Sequence, residues 1–168
     1  DAGFSFTCAI GADGGIRCWG EDSDGKLGNN MQTYFRFAPT EVSTLTSEVN
    51  SVTAGERHTC ARTSAGGVLC WGDQPLLGDG IDEGRFVPVA VTGLASGVTA
   101  IAAGGEGGEG GEGHTCALTA SGTAHCWGGN FYRQLGTGTE YNGPRLLPVV
   151  VTGLGSGGVS AIAPGDAH

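Results

Sequence analysis

The sequence has little of what marks several common protein classes. It contains one Met, only eight Lys and Arg and 17 Asp and Glu, so its formal charge is −9. Such an acidic chain without a basic cluster is not expected to bind nucleic acid. No apolar run approaches the roughly 18 to 20 residues that span a bilayer, so we expect no membrane-spanning segment. The motifs G-x-S-x-G, H-E-x-x-H and the phosphate-binding P-loop are absent, so we predict neither an enzyme nor a bound cofactor.

Glycine is the residue type present in excess. The chain has 34 Gly among 168 residues, yet no G-X-Y period, which excludes collagen. Its hydrophobic content of 39% is too high for plain disorder. We therefore interpret residues 1–168 as one glycine-rich, acidic, folded domain.

One unit is repeated three times along the chain. Thr-Cys-Ala begins at residues 7, 59 and 115, and Cys-Trp-Gly begins at residues 18, 70 and 126. Each copy continues with Leu-Gly and then with Arg-x-x-Pro. The spacing predicts repeats at about 1–52, 53–102 and 103–168.

Each unit reads as four short strands and no helix. In the third copy the predicted strands are 98–103, 114–119, 123–128 and 145–151, rich in Val, Thr, Ile or Ala and bounded by turn residues. Four-stranded units of this length are typical of β-propeller blades, so the predicted fold class is all-β. Known propellers close with about four to eight blades. We therefore expect an open or partial propeller, or part of a larger ring completed by a longer parent chain or by several chains, with 159–163 starting a fourth blade.

The cysteines occur as C-x9-C in every copy. A three-residue loop at Ala12, Asp13 and Gly14 needs a left-handed third residue, which Gly supplies. That register places the two cysteines of a pair opposite each other on a hairpin, within disulfide range. The predicted disulfides are Cys8–Cys18, Cys60–Cys70 and Cys116–Cys126.

The alternatives to disulfides are zinc ligation and reduced thiols. Zinc sites usually use C-x2–4-C pairs, which are missing. His58 and His114 lie two residues before a Cys, but the first copy has Phe6 there, which a required ligand would not allow. Disulfides predict an oxidising compartment, so we expect a secreted, periplasmic or surface-displayed protein.

The combined motif resembles a known repeat. His114-Thr115-Cys116-Ala117-Leu118, Ser121-Gly122-Thr123, Cys126-Trp127-Gly128, Gln134-Leu135-Gly136 and Leu147-Pro148-Val149-Val150-Val151 look like the regulator of chromosome condensation repeat. The cysteine-bearing form is similar to the bacterial, extracytoplasmic branch of that family. The resemblance implies a seven-bladed propeller in the usual member. The family's best-known roles are nucleotide exchange on a small GTPase with chromatin binding, and inhibition of β-lactamases; the second fits an extracellular protein.

Residues present in every copy are interpreted as scaffold, and divergent loops as sites of recognition. The Trp residues follow the second Cys and project from the other sheet face, where they are expected to pack one blade on the next. We predict that Phe37 and Phe86 fill blade edges. The predicted scaffold residues are Trp19, Trp71, Trp127, Arg36, Arg85 and Arg145. The candidate partner contacts, on the Trp-to-Pro loops, are Tyr34, Phe35, Phe131, Tyr132 and Tyr141.

The run 104–113 is low in complexity and acidic. Glu106, Glu109 and Glu112 suggest Ca²⁺ binding or a basic partner, but a solvated loop is favoured because Gly-rich chain is costly to order. We therefore predict a non-enzymatic, extracytoplasmic protein–protein interaction module. The alternatives are a structural or surface subunit that associates with itself, and an enzyme inhibitor of the β-lactamase-inhibitor type.

Overall fold

The computed structural model is an all-β structure, as predicted. It describes residues 1–31, 33–73, 75–105, 113–154 and 158–165. Within these ranges no helix is present, and no helical stretch is therefore long and apolar enough to cross a membrane. The strands are β1 Phe6–Ile10, β2 Ile16–Glu21, β3 Phe35–Glu41, β4 Val49–Ala54, β5 His58–Thr63, β6 Val68–Gly72, β7 Arg85–Ala90, β8 Val98–Gly104, β9 His114–Thr119, β10 Ala124–Gly128 and β11 Arg145–Val150.

The strands form three antiparallel sheets, which are the three blades. The second blade has the order β4-β5-β6-β7 and the third has β8-β9-β10-β11, each a meander of four strands. The first blade has three strands, β1-β2-β3, instead of the predicted four. At its inner position, Ala2 forms an isolated bridge to Thr7. The repeat boundaries at 53 and 103 stay a prediction.

The hairpin between the two cysteines follows the predicted register. Gly14, Gly66 and Gly122 have φ of 77°, 79° and 77°, the left-handed conformation that the three-residue loop requires. Cys8 pairs with Cys18 across the hairpin, and the other two copies pair in the same way.

All three predicted disulfides are confirmed. Cys8–Cys18, Cys60–Cys70 and Cys116–Cys126 have Cα–Cα distances of 4.2, 4.1 and 4.1 Å. Each bridge closes a short loop, so the chain-entropy contribution is about 2.5 to 3 kcal/mol per bridge. Each bridge links the two strands of one hairpin. The blades are held to one another by side-chain packing and not by these bridges.

The hydrophobic core lies between the blades. Side chains of the first blade form one cluster with Trp71 of the second, and side chains of the second form another with Trp127 of the third. Both indoles are 0% exposed, and their N–H groups donate across the junction to the carbonyls of Lys26 (2.8 Å) and Leu76 (3.0 Å). Trp19, at the same position in the first blade, is half-buried.

The connections between strands divide into two sides. Because His58 at the start of β5 pairs with Gly72 at the end of β6, the β4–β5 and β6–β7 connections lie at the same ends of the strands. The hairpin turns and the links between blades lie at the opposite strand ends, where the N–H of Val98 donates to the carbonyl of Gly66. We call the side with the β4–β5 and β6–β7 connections the loop side. Among the described residues it comprises 22–31, 33–34, 55–57, 73, 75–84 and 129–144.

Residues 158–165 follow the third blade without forming a strand. The N–H of Val159 donates to the carbonyl of Gly122, as Val49 does to Gly14 at the start of the second blade. Ile162 packs against the third-blade cluster of Cys116, Cys126 and Leu135. The segment thus leaves the third blade as the start of β4 leaves the first; that 159–163 begins a fourth blade stays a prediction.

Candidate functional site

The loop of the third blade, residues 129–144, is organised by one buried amide. Asn130 is 2% exposed, and its Oδ1 accepts the N–H of Leu135 at 3.2 Å. Its Nδ2 donates to the carbonyl of Tyr141 at 2.8 Å, and its own carbonyl accepts the N–H of Arg133 at 2.9 Å. These bonds pin both limbs of the loop, so the three residues after Asn130 form a fixed tip on the loop side.

Two predicted contact aromatics occupy that tip. Phe131 and Tyr132 are 59% and 54% exposed, and their rings meet edge to face with centroids 5.2 Å apart. Each ring limits the motion of the other, while most of their apolar surface stays in solvent. A rigid pair of exposed aromatic rings is the kind of surface that anchors protein partners.

Arg133 completes the tip in a conformation that L-residues rarely adopt. Its φ is 59°, in the left-handed region, and the same turn in the first blade has Gly25 with φ 73°. A non-Gly residue there costs about 1 kcal/mol in backbone strain. Sequence reasoning missed Arg133, although the alignment of Leu27-Gly28 with Leu135-Gly136 places it opposite Gly25.

The far limb of the loop carries the third candidate contact of this blade. Tyr141 is exposed, and the Arg145 guanidinium lies 4.2 Å from the centroid of its ring. This cation–π contact orients Tyr141 beside the start of β11. The third blade thus presents aromatic rings together with Arg133 on the loop and Arg145 at the start of β11.

The two remaining scaffold arginines have different partners. Arg85 pairs with Asp79 at 3.4 Å and with Glu83 at 3.2 Å, which ties the start of β7 to its own loop. The Arg36 guanidinium contacts the Met31 thioether. The three arginines therefore share a position but not a partner, because the loops before them differ in length and sequence.

The loop of the first blade repeats the turn with an acid in place of the amide. Leu27 N–H donates to Asp22 Oδ1 at 3.2 Å, and burial raises the pKa of Asp22 despite that bond. Beside it, a cleft of about 390 Å³ is lined by Asp22, Ser23, Thr33, Tyr34 and Phe86. The other two candidate contacts, Tyr34 and Phe35, are also exposed. They belong to the first blade and are therefore separate from the aromatic rings of the third blade.

A second cleft crosses from the first blade to the second. It measures about 440 Å³ and includes the buried Lys26, whose Nζ lies 2.5 Å from Glu21 and 4.0 Å from Asp24. Partial burial would raise the pKa of Glu21, but the bonds from Lys26 and two serines lower it to about 2. Arg57 bridges Asp24 at 3.3 Å and Asp73 at 2.8 Å. The charged side chains of this cleft are thus largely paired with one another.

His58 is a buried contact between the second and third blades. His58 is 0% exposed, and its Nε2 lies 2.6 Å from Thr115 Oγ1 of the third blade. Burial, with a smaller contribution from His114, lowers the pKa of His58 to about 3, so the ring is neutral at pH 7. Sequence reasoning did not predict this role, because a His two residues before a Cys suggests a metal ligand as readily as a core residue.

Two sequence interpretations concern residues elsewhere. Phe86 packs over Gly25 of the preceding blade, as expected of an edge residue. The same expectation for Phe37 is wrong: its side chain is 97% exposed because, unlike Phe86, it packs on no other blade among the described residues. The proposed Ca²⁺ ligands Glu106, Glu109 and Glu112 lie outside the described residues. Within the described ranges, no three His, Cys, Asp or Glu side chains are grouped to hold a metal ion.

Comparison with known proteins gives the same repeat. Residues 1–26, 49–75 and 109–134 match the family described as regulator of chromosome condensation (RCC1) repeat. Each matched stretch includes a cysteine hairpin and its Trp. The chain is an RCC1-like repeat protein.

The RCC1-like chain is similar to eukaryotic proteins of diverse size. It is 31% identical over 153 residues to the ultraviolet-B receptor UVR8 of Arabidopsis thaliana, covering 89% of this chain and 33% of that protein. It is 32% identical over 172 residues to the human E3 ubiquitin-protein ligase HERC2, covering 99% of this chain and 3% of the ligase. The chain therefore spans a third or less of these relatives.

Solved structures share the blade architecture. Prp20p of Saccharomyces cerevisiae superposes with a TM-score of 0.75 at 17% identity, over 91% of this chain and 37% of that one. Human WBSCR16 superposes with a TM-score of 0.74 at 24% identity, over 90% and 38%. These likenesses show the RCC1-type propeller fold for the RCC1-like chain.

Proposed function

We propose that this RCC1-like repeat protein is a non-enzymatic interaction module that binds a protein partner with its loop side. The observation that carries the proposal is the fixed tip of the third-blade loop, where Phe131 and Tyr132 are exposed beside the strained Arg133. Backbone strain persists where the surrounding structure enforces it, and such positions are concentrated at functional sites. Aromatic rings and arginine are also the residues that dominate binding energy at protein interfaces.

What is known of similar structures supports a protein as the partner. One neighbour, yeast RCC1 (Prp20), was solved bound to Kap60, and the work on Prp20p concerned its binding to Gsp1p and histones. Those partners belong to that protein. The shared blade fold supports protein binding as the class of activity proposed for this chain, through loops of its own sequence.

The proposal includes an extracytoplasmic location. Its support is the three disulfides, whose six sulfurs are buried in hairpins and whose presence leaves no free cysteine. Disulfides in this number persist in oxidising compartments and are rare in the cytosol. If the protein isolated from its source without reductant shows free thiols after denaturation, this location is wrong. Inhibition of a β-lactamase stays a prediction, tested by mixing the two proteins.

The loop-side proposal is tested by site-specific crosslinking. A photoreactive phenylalanine analogue replaces Tyr132 in one variant and Phe37, on the outer strand, in a matched control. In proteins from the source's own compartment, we expect one discrete adduct from position 132 and none from position 37. Once that partner is purified, Tyr132→Ala should weaken binding at least tenfold, since aromatic hot spots are worth about 2 kcal/mol or more. Equal labelling from both positions, or unchanged affinity of the variant, would contradict the proposal.

A further inference from the structure

The junction between the first and second blades is closed in one place and open in another. Both blade junctions close where an indole lies on a glycine. A Cβ on Gly28 would come within 2.7 Å of the Trp71 ring, and at the second junction a Cβ on Gly78 would come within 2.9 Å of the Trp127 ring. Apart from that contact, the first junction opens into the cleft of about 390 Å³, whose lining comes from the first blade and from Phe86 of the second. The cleft therefore lies between two blades that this chain itself contains.

Two aromatic rings line this cleft, and one of them is held by contacts between the blades. The N–H of Asn30 donates to the carbonyl of Phe86 at 2.9 Å. The Phe86 ring lies on Gly25, where a built Cβ would come within 2.5 Å of it. The second ring, that of Tyr34, is 77% exposed. The volume of the cleft is near the lower end of the range of about 300 to 1,000 Å³ for ligand sites, so it suits a single side chain.

A buried carboxylate is the principal polar group of the lining. Asp22 is 1% exposed, and its oxygens accept the Leu27 N–H at 3.2 Å and the Asn29 Nδ2 at 3.3 Å. Both donors are neutral, and within the described ranges this carboxylate forms no ion pair. Burial raises the pKa of Asp22, and the charge of Arg36 offsets that effect only in part. The negative charge of Asp22 is therefore compensated incompletely by its own surroundings.

The loops around the cleft are acidic as well. The loop side of the first two blades, residues 22–34, 55–57 and 73–84, contains seven Asp and Glu and two Lys and Arg. With Glu21, Arg36 and Arg85 from the adjoining strand ends, the acids outnumber the basic residues eight to four. The third-blade loop, residues 129–144, contains one of each. Negative charge is thus concentrated at the first two blades, where it attracts cations.

We propose that this cleft binds an arginine side chain of the protein partner. The guanidinium pairs with the carboxylate of Asp22, and the rings of Tyr34 and Phe86 contact its planar faces. Thr33 Oγ1 is buried and makes no hydrogen bond of ordinary geometry among the described residues, so it is a further acceptor for the guanidinium N–H groups. Arginine fits better than lysine because its planar fork stacks on aromatic rings and donates several hydrogen bonds at once.

The source of this side chain rests on the proposed function, whereas the cleft can be tested without the partner. The isotope-labelled chain is titrated with the peptide acetyl-Gly-Arg-Gly-amide and followed by nuclear magnetic resonance. A matched peptide with citrulline in place of arginine has the same shape and no charge. We expect saturable shifts of the backbone amides of Ser23, Leu27 and Tyr34. The citrulline peptide should bind at least tenfold more weakly, because it leaves the buried carboxylate without a counter-charge.

Two variants of the lining and one control locate the binding. Asp22→Asn removes the charge and introduces the amide that the third blade has at this position, Asn130, so it should weaken binding at least tenfold. Tyr34→Ala should weaken binding about two- to fivefold, as expected for the loss of one exposed cation–π contact. Asp82→Asn removes an equal charge from an exposed residue outside the lining and should leave the affinity unchanged.

The outcomes separate this proposal from that of the third-blade tip. Selective binding of the arginine peptide that is lost in Asp22→Asn and kept in Asp82→Asn supports the cleft. Equal binding of the two peptides, no binding at about 10 mM peptide, or equal losses in the two variants overturns it. Near-ultraviolet circular dichroism identifies a variant that has lost its fold, and the citrulline peptide then carries the test. Tyr132→Ala should leave the affinity for the peptide unchanged, so failure at the tip and failure at the cleft are distinguishable.

Discussion

The two blade junctions have one architecture and opposite chemistry. At the first junction, the residue before Leu27-Gly28 is Lys26, which is 2% exposed and paired with Glu21. At the second, the residue before Leu77-Gly78 is Leu76, equally buried, and its side chain reaches the backbone of Gly113 and Gly128 in the third blade. In both, this residue's carbonyl accepts the indole N–H.

The difference shows which part of a junction is fixed and which is free. The glycine, the indole and the backbone hydrogen bond recur because the close approach of ring to backbone allows nothing else. The side chain before Leu-Gly lies at the rim of that contact, where a charge is tolerated if a counter-charge is within reach. Lys26 has Glu21 and the carbonyl of Glu56, 3.4 Å from its Nζ. The Leu76 side chain lies beside Gly113 and Gly128 of the third blade.

Exchanging these two residues should give the largest effect. Leu76→Lys places a cation beside His58 and Gly113 without the carboxylate that Lys26 has, and an uncompensated buried charge costs about 3 to 5 kcal/mol. Lys26→Leu restores an apolar rim and leaves Glu21 partly exposed with Ser5 and Ser23 as partners, so we expect a loss of about 1 kcal/mol. Urea unfolding curves measure both. Equal losses would show that the two rims are interchangeable.

Much of this fold could be predicted from the sequence, because repetition makes each inference testable three times. The hairpin register, the left-handed glycines and the disulfides depend on local geometry, which a motif specifies. The burial of Lys26 could not be predicted in this way, since its counter-charge and its hydrogen-bond partner come from other segments. The same holds for His58, whose partner Thr115 is 57 positions away.

The candidate site was predictable in place but not in form. Divergence among the Trp-to-Pro loops pointed to Phe131 and Tyr132, and the structure places both at an exposed tip. Comparison of the loops could not predict that Asn130 would hold that tip in place, or that Arg133 would adopt a left-handed backbone conformation. Both features depend on a turn that closes through Leu135 and Tyr141, which lie five and 11 positions after Asn130, and no motif in the sequence specifies that closure.

Lowering the pH to 5 should reduce the stability contributed by the second junction by about 2 kcal/mol. His58 titrates near 6.5 when unfolded and near 3 when folded, so the unfolded chain binds more protons between these values. Its contribution to stability is therefore fully present above pH 6.5 and is lost as the pH falls towards 3. At pH 5 the loss is about 2 kcal/mol, at 1.4 kcal/mol per pKa unit.

The matched variant for this titration is His58→Phe, since the first blade has Phe6 at that position. We measure the free energy of unfolding of the variant and of the unmodified chain in urea from pH 7 to pH 5. The variant should lose less stability over this range, and the difference should equal the contribution of His58. The Lys26–Glu21 ion pair of the first junction stays intact in this window, because the pKa of Glu21 is lowered to about 2 and its contribution is lost only as the pH falls below the ordinary value of 4.5. If the variant shows the full pH dependence of the unmodified chain, the second junction is not the acid-sensitive one.

The smallest expected effect is on the salt dependence of stability, and it concerns the first junction. Arg57 of the second blade reaches Asp24 of the first at 3.3 Å with 41% of its side chain exposed, a cross-blade ion pair in contact with solvent. The third blade has Tyr132 at the position of Asp24, and its tip carries aromatic rings instead. Because exposed pairs contribute about 0.2 to 1 kcal/mol and are screened by salt, Arg57→Gln should lower stability by less than 1 kcal/mol at low ionic strength. The loss should vanish in about 1 M NaCl, where the Debye length is about 3 Å. A loss that persists there would mean that Arg57 stabilises the junction by packing of its stem over the cleft rather than by charge.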